Sequence, residues 1–312
     1  MISAYNDTDQ SFDTEPLHEL FTGQVKHGPD RVALKHHDEV MTYQELDEKS
    51  NQVARFLIGK GVERGDYIGV IGKRSLGTIV NLLAVLKTGA AYIPLDPDYP
   101  EERKAYIQSK SNCKFFISHD VYDKEHIERF SKAPVDRKVD LDDMAYVIFT
   151  SGSTGKPKGV QITHGAAANT ILDINEKFNV TEQDNIMGIS SLCFDLSVYD
   201  VFGALSSGAS LVIIDDQRDV FSLKETVEKE RITIWNSVPA IMGMTADVYP
   251  DNELNHHLRL ILLSGDWIPL QLPATIKKTF KNAEVISLGG ATEGSIWSIY
   301  YPIQKVEEDW KS

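Results

Sequence analysis

The sequence is poor in cysteine, has no long apolar run and carries no excess of positive charge. Its 312 residues include two cysteines, Cys113 and Cys193, in apolar surroundings without metal-type spacing, which favours free thiols in a reducing compartment. No eighteen apolar residues run together, and the acidic, polar first twenty residues show no secretory signal. The net charge of −14 would repel a polyanionic duplex. We therefore expect a cytoplasmic protein without a nucleic-acid or membrane partner.

Hydrophobic residues are plentiful enough for a sizeable core. They make up 42% of the chain, and the length fits one large or two ordinary domains. Residues 1–14 are rich in Asn, Asp, Thr and Ser and predict a linker or tail, with the folded core spanning 15–312. The charged segment 120–143 separates two stretches of similar size and is a candidate lobe boundary.

Apolar runs alternate with segments of helical periodicity. Thr42 and Glu45 form a capping-box pattern before a helix that ends near Gly59. Leucines, isoleucines and valines from Leu76 to Leu86 form another helical stripe, and a capping-box helix is predicted from Ser222 to Glu230. Short apolar runs predict strands at residues 66–71, 146–149, 211–214, 232–235, 258–263 and 285–288. This alternation predicts an α/β protein with largely parallel, buried sheets.

A loop rich in glycine, hydroxyls and lysine follows one of these strands. Residues 150–159, TSGSTGKPKG, hold four hydroxyl side chains, three glycines and two lysines, which suits a polyphosphate better than an ordinary turn. Pro157 disfavours a helix at Lys156, and no Ser or Thr stands where a G-x-x-x-x-G-K-[ST] loop holds its metal. The dinucleotide pattern G-x-G-x-x-G is also absent. Both common nucleotide loops are therefore disfavoured.

Five motifs occur in order over nearly the whole chain. They are MTYQEL (41–46), LKTGAAYIPLD (86–96), MAYVIFTSGSTGKPKG (144–159), FDLS (194–197) and GATE (290–293). The set resembles the LTYxEL, LKAGxAYVPID, signature-loop, FDxS and GPTE motifs of adenylate-forming enzymes, specifically adenylation domains of nonribosomal peptide synthetases. The resemblance implies the N-terminal core of the adenylate-forming fold, with layered α/β sheets. It also implies truncation before the small C-terminal subdomain that carries the family's catalytic lysine.

The resemblance further implies which residues bind the nucleotide. Lys156 and the loop hydroxyls would hold the β- and γ-phosphates of ATP, Thr292 would face the α-phosphate and Glu293 would hold Mg²⁺, which makes Lys156, Thr292 and Glu293 the catalytic set. The full set of implied nucleotide-binding residues is Thr150, Ser151, Gly152, Ser153, Thr154, Gly155, Lys156, Gly289, Gly290, Ala291 and Thr292. Gly289 departs from the family, which usually has an aromatic residue there that is thought to stack on adenine.

The FDLS motif marks the expected substrate end. Asp195 lies in an apolar stretch where an unpaired carboxylate is costly, so we expect a cationic partner. The resemblance implies that this partner is the α-ammonium of an amino acid; a structural salt bridge or a cap for the helix from Leu196 are the alternatives. The implied pocket is lined by Asp195, Leu196, Tyr199, Asn236, Leu262, Ser264, Leu288, Ile296 and Trp297. This set resembles that of cysteine-activating domains, and its bulky members suit a small thiol side chain.

The implied reaction is the attack of the amino-acid carboxylate on the α-phosphorus of ATP, which gives an aminoacyl adenylate and pyrophosphate through positioning and charge stabilisation. A peptidyl carrier protein with a phosphopantetheine arm and a neighbouring condensation domain are the implied partners, in antibiotic biosynthesis. Without the catalytic lysine we expect the chain to bind ligands but to adenylate poorly. We predict no metal constellation among the nine histidines, with His36, His37, His256 and His257 as solvated loop residues.

Two other functions stay open at this point. An acyl- or aryl-CoA ligase of the same superfamily would share the phosphate loop but would need no ammonium counter-ion at Asp195. A non-catalytic binding or docking module would need none of the chemistry.

Overall fold

The computed structural model describes residues 12–151, 156–250, 254–307 and 310, with only the backbone of Ser151. Within these ranges the helices are α1 (Leu17–His27), α2 (Tyr43–Gly59), α3 (Leu76–Lys87), α4 (Glu101–Lys110), α5 (Val121–Lys124), α6 (His164–Lys177), α7 (Leu196–Ser207), α8 (Val220–Lys229), α9 (Pro239–Asp247) and α10 (Leu272–Thr279). Short 3-10 helices lie at Ile127–Arg129 and Thr292–Gly294.

The strands form two sheets. They are β1 (Val32–His36), β2 (Glu39–Thr42), β3 (Tyr67–Ile71), β4 (Ala91–Leu95), β5 (Phe115–Ser118), β6 (Met144–Ser151), β7 (Pro157–Thr163), β8 (Asn185–Gly188), β9 (Ser210–Ile213), β10 (Ile234–Ser237), β11 (Leu260–Leu263), β12 (Glu284–Gly289) and β13 (Ile299–Pro302). The eight-stranded sheet has the order β13-β12-β11-β10-β8-β9-β1-β2, and the five-stranded sheet has the order β5-β3-β4-β6-β7.

Most neighbouring strands are parallel, and the antiparallel pairs lie at sheet edges. These pairs are β1 with β2, β12 with β13 and β6 with β7. The parallel interior strands are buried almost throughout, as in β4 and β11, because helices cover them. The α/β class with largely parallel sheets is therefore confirmed, although both sheets are mixed.

The main core connects the two sheets through α7. The ring of Tyr92 on β4 stacks on Tyr146 of β6 at 5.7 Å between centroids and on Phe202 of α7 at 6.4 Å. Phe202 and the α3 residue Leu83 are fully or almost fully buried in the same apolar cluster. This packing fixes α7, whose first turn carries the FDLS motif, against the sheet that carries the phosphate loop.

Local sequence patterns predicted the start of α2 correctly and the start of α8 incorrectly. The predicted capping box at α2 is confirmed: the Glu45 amide donates to Thr42 Oγ1 at 3.2 Å, and the Thr42 amide donates to Glu45 Oε2 at 2.8 Å. The predicted start of α8 at Ser222 is wrong by two residues. Asp219 caps this helix instead, since its Oδ1 accepts from the Ser222 amide at 3.1 Å.

Segment 120–143 connects β5 to β6, which belong to the same sheet, so the lobe boundary predicted there does not separate the two sheets. Residues 1–11 of the predicted tail lie outside the described residues, and α1 begins at Leu17. In the parts of the chain that the structure describes, no helix combines the length and the apolar character needed to cross a bilayer. Cys113 and Cys193 are free thiols, as predicted.

Candidate active site

The predicted substrate residues meet where the larger sheet reverses its strand order. β9 and β10 lie on opposite sides of β8, and in open α/β sheets ligands bind beyond the carboxyl ends of the strands at such a reversal. Asp195 stands at the start of α7, which follows β8, and Asn236 lies near the end of β10. Ser264 follows β11, and Leu288 lies near the end of β12. The topology therefore brings four distant segments to one edge.

Asp195 is partly buried and has no ion-pair partner among the described residues. Burial raises the pKa of its carboxyl group; hydrogen bonding with the Thr292 side chain opposes this shift, and the Glu293 charge adds to it. Asp195 occupies the position before α7 but makes no side-chain capping hydrogen bond. Among the described residues, the structure thus shows neither the salt bridge nor the helix cap that were the alternatives for Asp195.

The other predicted pocket residues are buried and contact one another. The indole Nε1 of Trp297 donates to Ser264 Oγ at 3.0 Å, and the Trp297 ring lies 5.0 Å from that of Tyr199. Tyr199 in turn donates from its hydroxyl to Asn175 Oδ1 at 3.1 Å. The buried members of the predicted set are Leu196, Tyr199, Asn236, Leu262, Ser264, Leu288, Ile296 and Trp297. These side chains therefore belong to the packed interior at this edge of the sheet.

The GATE segment turns tightly beneath the pocket. A Cβ on Gly290 would lie 2.8 Å from both the Ile296 carbonyl oxygen and the Trp297 Cα, so only glycine allows this backbone approach. Ser295 and Ile296 both have positive φ, at 61° and 68°, which is a strained conformation for a β-branched residue. The close packing of the buried Ile296 and Trp297 side chains maintains this strained backbone.

The residues predicted to bind the nucleotide form a more exposed part of the candidate site, the proposed nucleotide end. Thr150 lies near the end of β6, and Lys156 directly precedes β7 with an exposed side chain that forms no ion pair within the described ranges. The predicted phosphate-loop residues Gly152, Ser153, Thr154 and Gly155, and the side chain of Ser151, lie outside the described residues. β7 packs against the Thr292–Gly294 helix, so the strand that leaves the loop contacts the GATE motif.

Thr292 and Glu293 lie between the two ends. Thr292 is half-buried beside Asp195, whereas Glu293 is exposed and has no ion pair among the residues that the structure describes. A single free carboxylate next to a phosphate site fits Mg²⁺, which commonly takes one or two carboxylates and completes its shell with phosphates and water.

The sequence patterns did not single out Tyr146, whose hydroxyl lies near Asp195, or Ser295, which follows the GATE motif. The two hydroxyls are buried, and the described residues offer them no hydrogen-bond partner other than each other. Burial raises the pKa of Tyr146; hydrogen bonding with the Ser295 side chain opposes this rise, and the charge of Asp195 adds to it. The position of Tyr146 inside the signature segment was the only available signal, and Ser295 had none.

The interpretation of His36 as a solvated loop residue is wrong, because it lies in β1, whereas His37 lies in an exposed turn as predicted. His36 ends β1, and both rings reach Asp215, with Nε2 to carboxylate distances of 2.8 and 2.9 Å. The ligand atoms of these three residues all lie within 4.8 Å of one another. Parallel pairing of β1 with β9 produces this cluster, because Asp215 follows β9.

Comparison with known proteins agrees with this geometry. The family described as AMP-binding enzyme matches residues 21–312. Bacitracin synthase 1 of Bacillus licheniformis is 97% identical over 100% of this chain, which spans 6% of that protein.

Two solved structures are also similar. The AMPPNP-bound form of the nonribosomal peptide synthetase FmoA3 is 31% identical, with a TM-score of 0.90 over 99% of this chain and 35% of that one. The N-terminal subdomain of NpsA from Klebsiella oxytoca, in complex with 3-hydroxyanthranilyl-AMSN, is 26% identical, with a TM-score of 0.83 over 94% of this chain and 76% of that one. The chain therefore belongs to the AMP-binding enzyme family, as the N-terminal core of a nonribosomal peptide synthetase adenylation domain.

Proposed function

We propose that this chain binds ATP and an amino acid, with L-cysteine as the amino acid, for conversion to an aminoacyl adenylate. The observation that carries the proposal is Asp195, a partly buried carboxyl group that has no ion-pair partner among the described residues. Its side chain hydrogen-bonds with Thr292 of the GATE motif. An α-ammonium group supplies the missing charge, and an acyl- or aryl-CoA ligase has no use for this carboxylate. FmoA3 in its alpha-methyl-L-serine-AMP bound form, 31% identical with a TM-score of 0.89, supports an aminoacyl adenylate as the ligand class.

The chain's own residues orient the reactants. Asp195 anchors the amino group, so the substrate carboxylate is held on the side of Thr292, where the α-phosphate is expected. Lys156 offsets charge on the β- and γ-phosphates, and this favours the departure of pyrophosphate. Glu293 would hold Mg²⁺, which supplies charge neutralisation to the phosphates when it is bound.

The pocket favours a small polar side chain. Tyr199 and Trp297 pack against each other and reduce its volume, while Ser264 and Asn236 provide polar groups. A thiol suits this combination. Since one methylene is worth only about 1–3 kcal/mol, rejection of serine or valine rests on these polar contacts as well as on size.

Adenine requires a contact other than the aromatic residue usual in the family. Gly289 pairs with Ile299 across β12 and β13, and a Cβ on Gly289 would lie 3.0 Å from Ile299 Cγ1. The Ile299 side chain is 71% exposed. It therefore covers the position of the absent aromatic ring and offers an apolar surface to the base.

The larger setting is also a proposal. The relative named Bacitracin synthase 1 indicates a role in the synthesis of a peptide antibiotic, in the cytoplasm, with transfer of the acyl group to a peptidyl carrier protein beside a condensation domain. The region that this chain covers would bind the ligands by itself. The NpsA subdomain in complex with 3-hydroxyanthranilyl-AMSN supports ligand binding by an N-terminal subdomain alone.

Calorimetric titration of the chain with non-hydrolysable cysteinyl, seryl and valyl adenylate analogues tests this function. We expect all three to bind and the cysteinyl analogue to bind most tightly. Tightest binding of valyl would contradict the cysteine assignment. Binding of none would contradict the adenylation function and favour a docking module.

A further inference from the structure

Asp200 is a buried carboxyl group in the wall of the pocket, and the proposed reaction does not use it. Its side chain lies on α7 and the residue is 1% exposed. Oδ1 accepts from Asn236 Nδ2 at 2.8 Å, and Oδ2 accepts from the Ser190 amide at 3.1 Å. Burial raises the pKa of Asp200 to about 7, against the opposing hydrogen bonds and the Arg74 charge. Because burial of a carboxyl group is unfavourable, its presence in the pocket wall indicates a functional role for Asp200.

The hydrogen bonds of Asn236 have a fixed direction. Its Nδ2 donates to the Leu196 carbonyl oxygen at 3.2 Å and to Asp200 Oδ1 at 2.8 Å, which uses both amide hydrogens. Turning the amide over would place its oxygen against two acceptors. Asp200 and the Leu196 carbonyl therefore hold Asn236 Oδ1 on the opposite side of the amide, away from both groups.

Asn236 Oδ1 has no hydrogen-bond partner among the described residues, although Asn236 is fully buried. Leaving a buried acceptor without a donor is unfavourable, and a ligand that supplies the donor recovers this free energy. Asn236 lies at the carboxyl end of β10, beside the strand-order reversal where Asp195 stands. Asn236 therefore lies at the same edge of the sheet as Asp195.

We infer that Asp200 is a positioning residue that holds Asn236 Oδ1 as an acceptor for a hydrogen-bond donor on the substrate side chain. This inference rests on the proposed function, because it requires an amino acid bound at Asp195. The ligand class is a small amino acid with a thiol or hydroxyl donor, in preference to an apolar side chain of the same shape. Ser264 Oγ already accepts from Trp297 at 3.0 Å, which uses one of its two acceptor positions, whereas Asn236 Oδ1 has both of its own open among the described residues.

The test compares two adenylate analogues of nearly equal shape, cysteinyl and 2-aminobutyryl, in which a methyl group replaces the thiol. In the unmodified chain we expect the cysteinyl analogue to bind about fivefold more tightly, the equivalent of one net hydrogen bond. In Asp200→Asn the new amide can donate to Asn236 Oδ1, and only the Leu196 carbonyl oxygen still opposes a turn of the Asn236 amide, so the preference should fall toward one. A merely structural role for Asp200 would weaken both analogues equally.

Asp184→Asn is the matched control. Asp184 is also a buried carboxylate, paired with Arg259 at 2.7 Å, but it precedes β8 at the opposite end of the sheet. This variant should lose stability and keep the cysteinyl preference. Asn236→Ala provides a second test should Asp200→Asn fail to fold, and it should abolish the preference.

Retention of the fivefold preference in Asp200→Asn or in Asn236→Ala would overturn the inference while leaving the proposed function intact. Failure of the unmodified chain to bind either analogue would overturn the proposed function and the inference together.

Discussion

The proposed amino-acid end of this site is buried, whereas the proposed nucleotide end is exposed. At the amino-acid end, the buried rings of Tyr199 and Trp297 contact each other, and the buried Asn236 donates to Asp200. At the nucleotide end, Lys156 and Glu293 are exposed and form no ion pair in the described parts of the chain. Buried, mutually bonded groups discriminate between similar ligands, because a mismatch leaves a polar group unpaired. Exposed charges attract a polyphosphate without fine discrimination, since solvent screens them.

Asp195→Ala should have the largest effect and should act on the amino-acid end alone. Removing one partner of a partly buried charge pair costs about 2–5 kcal/mol, so the affinity for a cysteinyl adenylate analogue should fall at least about 30-fold. Calorimetry measures this loss. Asp219→Ala is the matched control, because Asp219 also stands before a helix, where it caps α8. That variant should lose about 1 kcal/mol of stability and no affinity.

Acid should lower the stability of the packing between α1 and the start of α6. His18 and His164 are buried neighbours, and burial lowers their pKa values from 6.5 to about 3 and about 4. The folded state therefore binds fewer protons than the unfolded state below pH 6.5. Their contribution to stability is fully present above pH 6.5 and is lost as the pH falls toward 4, with a slope of up to about 1.4 kcal/mol per pH unit for each histidine.

Urea unfolding at pH 7, 6 and 5 measures this slope. His164→Asn, whose amide oxygen can accept from the Leu17 amide as Nδ1 does now, should reduce it. An unchanged slope in this variant would show that other groups cause the acid sensitivity.

Lys156→Ala should weaken ATP binding and leave amino-acid selectivity unchanged. We expect about a tenfold loss of ATP affinity that shrinks as salt is added, because the side chain is exposed. Lys158→Ala is the control. Lys158 is an exposed lysine on β7, two residues after Lys156, and its removal should change ATP affinity much less. Equal losses in the two variants would reduce the role of Lys156 to general positive charge.

Trp297→Phe should give the smallest effect. It removes the hydrogen bond from Nε1 to Ser264 Oγ but keeps most of the contact with Tyr199. We expect about a fivefold loss of affinity for the cysteinyl analogue, with ATP binding unchanged. A comparable loss of ATP binding would show that the two ends are coupled through the GATE segment.

The sequence predicted what depends on local pattern. The α2 start followed from Thr42 and Glu45, whose reciprocal hydrogen bonds need only three residues of spacing. The α8 start was wrong because Asp219, three residues before the predicted start at Ser222, caps the helix instead. The pocket residues were assigned by resemblance, and the strand-order reversal shows physically why they meet.

Contacts made by distant strands left no local trace. His36 meets Asp215 only because β1 pairs with β9. Asp200 reaches Asn236 across 36 positions, and nothing in the pattern around α7 distinguishes it from a solvated aspartate. Tyr146 of β6 similarly comes near Asp195, which precedes α7, only through the packing of the two sheets.

The most direct test of the central claim is a thermodynamic cycle on Asp195. The unmodified chain and Asp195→Ala are each titrated with the cysteinyl adenylate analogue and with its counterpart that lacks the α-amino group. We predict that the substitution weakens the cysteinyl analogue at least about 30-fold and changes the deamino analogue less than about threefold. Equal losses for the two analogues, or tighter binding of the deamino analogue to the unmodified chain, would contradict recognition of an amino acid through its ammonium group.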